Sequence, residues 1–285
     1  MQEITPQIFI DTNYHGVVLG AINAPHGLVL IDSPLRPEDI RSWRASLLNI
    51  SGGVERLLIN LDAHPDRTLG TRGMECTVVG HDLLIQAFRN RPTTFKSQNS
   101  ETGAAWEMIP SLGPIRWNPP EISFSEKMQI FWGSFPINLE HRPGPNESAI
   151  WVDIPEEKVL FVGDAVLRDQ PPFLSHADLA IWITNLKELL TKRYRDYFLV
   201  GGRSGLVTLE DVRAQIKILE RLSNITNQFH DGKIPPEIVE KTIHDLLKHI
   251  NFPQTKQTEY IQRLRWGLTH MHCQEAQAAP LEYED

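Results

Sequence analysis

The stretch Leu57 to Gly70, LLINLDAHPDRTLG, decides how the rest of the chain is read. Its first part, from Arg56 to Leu61, is an apolar run without polar alternation, which is the pattern of a strand covered on both faces. It passes straight into a loop that holds Asp62, His64, Asp66 and Arg67. In an extended chain residues two apart share a side, so Asp62 and His64 lie together and Asp66 one step further along. Polar groups gathered at a strand end can converge on one point. The plainer account is a polar turn in which an aspartate caps the next helix and the histidine bonds to backbone.

Working upstream, strands are expected over Gln7 to Ile10, Val17 to Ile22 and Leu28 to Ile31, the last closing on the turn Asp32-Ser33-Pro34. Two consecutive hairpins follow from that order. Pro37 opens a helical pattern through Asn49, with Ile40, Trp43 and Leu47 on one face. Downstream, Thr77 to Val79 reads as a short buried strand, with Cys76 expected inside it, and His81 to Asn90 as a helix. Arg91 to Pro120, rich in Pro, Gly, Ser and Asn, reads as a long irregular excursion of the kind that often covers a site.

Strands resume at Ile122 to Phe124, Met128 to Trp132, Ile137 to His141, Ala149 to Val152 and Val159 to Val162. A helix over Asp178 to Lys192 and a strand over Tyr197 to Val200 come next. Beyond Gly205 only helical patterns are read: Leu209 to Phe229, Pro235 to Ile250 and Gln254 to His272. Two runs of strands, each followed by helices, imply a two-sheet core faced by helices on both sides.

The chain has 285 residues, 41% apolar and 22% charged, and a net charge of −8. That length buries a substantial core, and no stretch approaches the roughly 18 continuous apolar residues of a membrane span. The negative balance argues against a nucleic-acid or membrane partner. Met1 to Pro6 lacks a basic run followed by an apolar block, so a cytoplasmic location is the default expectation. Cys76 and Cys273 have no short-spaced partner, which argues against a thiolate zinc knuckle or a disulfide framework.

Two further strand ends carry charge: VLFVGDAV delivers Asp164 after Gly163, a small residue expected to let the backbone approach closely, and the segment VGGRSG delivers Arg203. With these landmarks in place the sequence resembles the metallo-β-lactamase superfamily, from about Ile8 to Gly205. VLIDSP resembles its early Asp-bearing turn, LINLDAHPDRTLG its His-x-His-x-Asp-His loop and LEHRPGPNES its Pro-Gly-His-Thr turn. VLFVGDAV resembles its bridging-aspartate strand, and VGGRSG stands where the family writes Pro-Gly-His-Gly. The resemblance implies an α/β fold, a four-layer αββα sandwich over residues 1–205, with a C-terminal helical extension over 206–285 packed on it.

Carried over by position, the first metal histidine is Asp62, the second stays His64, the aspartate stays Asp66 and the third histidine is Arg67. The turn histidine is Pro145, the bridging aspartate stays Asp164 and the last histidine is Arg203. A di-zinc hydrolase needs imidazoles and a bridging carboxylate to hold the cations that acidify a shared water. Pro145 has no ligating side chain, and Arg67 and Arg203 stay protonated and repel a dication. Two accounts are open. In the first, Arg67 and Arg203 neutralise Asp62, Asp66 and Asp164 by forked hydrogen bonds, no cofactor is expected, and the chain binds a small-molecule ligand or a partner. In the second, Asp62, His64 and Asp164 hold a single zinc, iron or manganese ion for hydrolysis of a small ester, thioester, lactone or phosphoester, with Asp66 as base.

Other candidates weigh less. Asp32 is expected to fix its turn and orient the loop. His141 is a substitute ligand or a surface residue, and His176 a pocket base or a helix neighbour. His270, His272 and Cys273 point in different directions from one helix. Trp106, Trp117 and Trp132 with Phe95, Phe124 and Phe131 are read as an apolar mouth or as core. Ile216, Leu219 and Leu222 mark a helix face suited to packing on the main domain or on a second copy in a homodimer.

Overall fold

Apolar strands without alternation need cover on both faces, and the layering supplies it. The computed structural model describes residues 1–50, 55–91, 94–95, 102–109, 115–133, 135–229 and 234–271. The first half holds β1 (Gln2–Thr5), β2 (Ile8–Asp11), β3 (Leu19–Ala24), β4 (Gly27–Ile31), α1 (Pro37–Leu47), β5 (Glu55–Ile59), the one-turn α2 (Pro65–Thr68), β6 (Thr77–His81) and α3 (Asp82–Arg89). A small ribbon of β7 (Thr94–Phe95) and β8 (Ile115–Arg116) precedes β9 (Ile122–Phe124). The second half holds β10 (Lys127–Phe131), β11 (Pro136–His141), β12 (Ile150–Ile154), β13 (Val159–Gly163), α4 (Leu179–Leu189), β14 (Phe198–Gly201), β15 (Gly205–Val207), α5 (Leu209–Thr226), α6 (Pro236–Leu247) and α7 (Gln257–His270).

One sheet runs β1-β2-β3-β4-β5-β6-β9, antiparallel as far as β4 and parallel thereafter. The other runs β10-β11-β12-β13-β14-β15, with β13 and β14 its parallel pair. Successive side chains on a strand go to opposite layers. Val29, Ile31, Leu57 and Ile59 turn inward and meet Leu139, Val152 and Phe161 of the facing sheet. Leu28, Leu30 and Leu58 turn outward onto Ile40, Trp43 and Leu47 of α1. The outer face of the second sheet, through Trp151, Leu160 and Val162, packs with α4 to α7 through Trp182, Leu219, Val239 and Leu264. The result is a four-layer αββα sandwich with helices from the C-terminal part in its last layer.

Helix ends follow local chemistry. Pro37 starts α1, with Glu38 and Asp39 in its first turn and Arg44 in its last, as the helix dipole favours. Thr208 and Asp211 form a reciprocal capping box that starts α5.

Several sequence expectations need correction. The first sheet opens with β1, which pairs with β2 and adds a hairpin before the two expected. Gly205–Val207 is not helical but a strand antiparallel to β14, too short to leave a periodic signal. Cys76 lies in the bend before β6 and not inside it, and burial pushes its thiol up to about 11. The excursion from Arg91 to Pro120 is irregular but holds the small ribbon and a 3-10 turn at Ala105–Met108.

Candidate functional site

The charged side chains are delivered by strand ends. Asp32 follows β4, the Asp62 to Arg67 group follows β5, Asp164 follows β13 and Arg203 follows β14. Two backbone hydrogen bonds join the sheets here: Val18 N–H donates to the Gly202 carbonyl at 2.8 Å, and Ile150 N–H to the Leu61 carbonyl at 2.9 Å.

Arg67 lies at the centre of the cluster and is fully buried. Its Nη1 donates to Asp32 Oδ2 at 3.1 Å, its Nη2 to Asp164 Oδ1, and its Nε sits 3.1 Å from Asp62 Oδ1 without hydrogen-bond alignment. Asp32 holds a left-handed backbone at φ 59° and accepts Leu61 N–H at 3.0 Å. That is the turn-fixing role expected of it, with a direct ion pair added. The close backbone approach belongs to Gly202: a Cβ there would stand 2.7 Å from Arg67 Nη1. At Gly163 a Cβ would meet Arg67 Nη1 only at 3.6 Å, so its requirement is the left-handed φ of 57° and not the closeness expected from sequence.

Arg203 forms the second hub. Its Nε donates to Asp164 Oδ2 at 2.9 Å, and its Nη1 to Asp66 Oδ2 at 2.5 Å and to the Gly16 carbonyl at 3.0 Å. Its Nη2 lies 3.0 Å from His64 Nδ1. Asp66 also accepts Trp106 N–H at 2.8 Å and Ala105 N–H at 3.2 Å. His64, rather than an aspartate, caps α2, its Nδ1 accepting Asp66 N–H at 3.2 Å. A ring nitrogen that accepts from a guanidinium and an amide carries no proton, which assigns the proton of this neutral imidazole to Nε2.

Electrostatics follow the geometry. Burial, then Arg203, pushes His64 down to about 3. Burial alone would raise Asp164 and Asp66, but Arg203, with Arg67 at Asp164, outweighs it and holds both below the usual carboxylate range. Burial also opposes the charge of Arg67, and Asp164, Asp62 and Asp32 more than restore it. Asp32 shares Arg67 with two other carboxylates, so burial wins there and lifts it to about 7. Asp62 is raised for the same first cause.

The family resemblance implies two divalent cations, and the donor set does not fit them. Both Asp164 oxygens and His64 Nδ1 face guanidinium N–H groups, and Pro145 offers no ligand. Among the described residues no group of three or more His, Cys, Asp and Glu is arranged to hold a metal ion.

Above this floor lies a cavity of about 250 Å³, lined in part by Asp62, His64 and Asp164. Asp66 and Arg67 do not line it, and Arg203 opens instead onto a separate groove with Arg36 and Lys256. The sequence reading missed most of the wall: Arg91, Phe173, Trp182, Arg263 and Trp266. Phe173 is gripped between cations, with Arg203 Cζ 4.5 Å and Arg263 Cζ 3.9 Å from its ring centre. Arg263 and Trp266, three apart on α7, share a helix face, which is the one sequence signal that could have marked this wall.

Of the aromatic mouth expected from sequence only Trp106 lines the cavity. Trp117 stacks on Phe88 behind it, Trp132 meets His26 elsewhere, Phe124 is in the inter-sheet core and Phe131 is exposed. The side chain of Phe95 lies outside the described residues. His176 lines the cavity, whereas His141 stacks on His81 at 3.8 Å and reaches the Glu147 carbonyl, so it substitutes for no ligand. His270 stacks on Trp266, and His272 and Cys273 lie outside the described residues. No described helix is long and apolar enough to cross a membrane.

Residues 75–201 match the model of the metallo-beta-lactamase superfamily, Lactamase_B. No curated protein matches the sequence. Among solved structures, a metallo-beta-lactamase from Pontibacter korlensis is 19% identical with a TM-score of 0.56, over 77% of this chain and 97% of that one. A metallo-beta-lactamase family protein from Thermus thermophilus is 16% identical with a TM-score of 0.62, over 96% and 94%. A stereoselective inverting sec-alkylsulfatase from Pseudomonas sp. is 13% identical with a TM-score of 0.61. The match takes in 98% of this chain but 52% of that one, so this chain spans about half its length. At these identities the solved structures speak to fold alone.

Proposed function

We propose that this chain is a metal-free, ligand-binding relative of the metallo-β-lactamase superfamily, whose model its residues 75–201 match and whose metal site is replaced here by strand-end acids facing guanidinium groups. Two arginines serve in it as the counter-charges of the site. The observation that carries the reading is Arg67: one buried guanidinium in ion-pair contact with Asp32, Asp62 and Asp164. A guanidinium has no lone pair to give a metal and keeps its proton at any pH the fold survives. Without a Lewis acid the metal route to an acidified water is lost, and Asp66, spent on Arg203 and two backbone amides, does not reach the cavity as a base. What is left is a shaped cavity with aromatic rings in its wall above an ion-paired floor, which suits binding.

Elemental analysis of protein purified without chelator from zinc-, iron- and manganese-supplemented medium tests this. Well under one equivalent of any of the three metals, and a melting temperature unmoved by added zinc or by EDTA, are expected. One retained equivalent, lost together with generic esterase or lactonase activity in Asp164→Ala, would overturn the reading.

A further inference from the structure

The cavity wall holds a cation that the floor does not explain. Arg91 follows α3 and lines the cavity together with Asp62; among the described residues it forms no carboxylate ion pair, and Asp62 acts on it only at longer range. Its Nη2 donates to the Ala63 carbonyl at 2.7 Å, while its Nη1 is buried with no hydrogen-bond partner among the described residues. The guanidinium is held in place by flat packing, with Cζ 4.6 Å from the Trp117 ring centre and 5.3 Å from that of Phe88. Burial lowers its pKa to about 10, so it stays charged at neutral pH. A buried charged donor left without an acceptor is unfavourable, and an incoming anion relieves that cost.

The surroundings narrow the class of anion. Asp62 and Asp164 line the same cavity and repel a dianion such as a phosphate monoester. His64, its proton on Nε2, adds a neutral donor. Trp106, Phe173, Trp182 and Trp266 add flat apolar surface beside the polar Glu147, His176 and Arg263. We propose that the cavity binds a small monocarboxylic acid with a flat apolar body, its carboxylate on Arg91 Nη1 and its ring among Trp106, Phe173 and Trp266. The inference rests on the metal-free reading, because a cation at Asp62, His64 and Asp164 would attract the carboxylate itself.

Calorimetric titration of the full chain with sodium benzoate, against benzamide as the neutral isostere, tests the proposal with and without EDTA. Saturable benzoate binding that ignores EDTA is expected, with benzamide weaker by about tenfold or more in the unaltered protein. Arg91→Gln should weaken benzoate by a similar factor and leave benzamide unchanged. The benzamide comparison needs no variant, so it holds even if Arg91→Gln folds poorly. Equal affinity for the two probes, no saturable benzoate binding, or benzoate binding indifferent to Arg91→Gln and to EDTA overturns this inference alone. Benzoate binding that EDTA abolishes and Arg91→Gln spares overturns it together with the metal-free reading.

Discussion

Arg67 on the cavity floor and Arg91 on its wall both carry buried guanidinium nitrogens, yet Arg67 meets Asp32, Asp62 and Asp164 whereas Arg91 meets one carbonyl and two aromatic rings. On the floor four carboxylates share two guanidinium groups, so those cations hold structure and have little left to offer a ligand. On the wall a donor is positioned by its neighbours and left open. Two residues of the same type, one beneath the cavity and one lining it, thus divide into scaffold and recognition by what surrounds them and not by their chemistry.

The contrast is sharpest in what each residue contributes to stability. Arg67→Met strands the floor carboxylates in a dry interior and should cost about 3–5 kcal/mol in urea denaturation at pH 7. Next comes Gly202→Ala, whose methyl would press on Arg67 Nη1 and should cost about 1–3 kcal/mol by overpacking. Arg91→Gln removes a charge held only by one carbonyl, two rings and the longer-range pull of Asp62, and should change stability by about 1 kcal/mol or less. If Arg91→Gln proves as costly as Arg67→Met, the division between floor and wall is wrong.

A subtler effect separates the floor's own members by pH. His64, pushed down to about 3 from 6.5, contributes stability that is present above 6.5 and is lost as pH falls towards 3. Asp32, lifted to about 7 from 3.8, contributes stability that is present below 3.8 and is lost as pH rises towards 7, with raised Asp62 acting in the same sense. Between about pH 4 and 6.5 the two trends oppose. His64→Gln removes the first, so its urea midpoint should climb on going from pH 7 to pH 4.5 more than that of the unaltered protein. A flat profile in His64→Gln would show that burial does not hold a proton on the floor.

Much of the floor was readable before any coordinates. Apolar runs ending in Asp62, Asp164 and Arg203 announce strands that open onto one site, and the reading of Arg67 and Arg203 as replaced imidazoles comes from the family resemblance. Which acid each arginine takes was not readable, since Asp32 was assigned to its turn and yet pairs with Arg67 across the loop. The wall was mostly hidden because Arg91, Phe173, Trp182 and Trp266 come from the end of α3, a loop, α4 and α7, and no local pattern encodes their meeting. The short strands β1 and β15 escaped for a related reason: three or four residues carry too little periodicity, and their neighbours supply the pairing.

The backbone bonds from Val18 to Gly202 and from Ile150 to Leu61 stitch the two sheets together one residue away from Arg203 and Asp62. The floor therefore sits at a clasp between the sheets, and sliding one sheet past the other at this end would break a backbone bond beside Asp62 or Arg203.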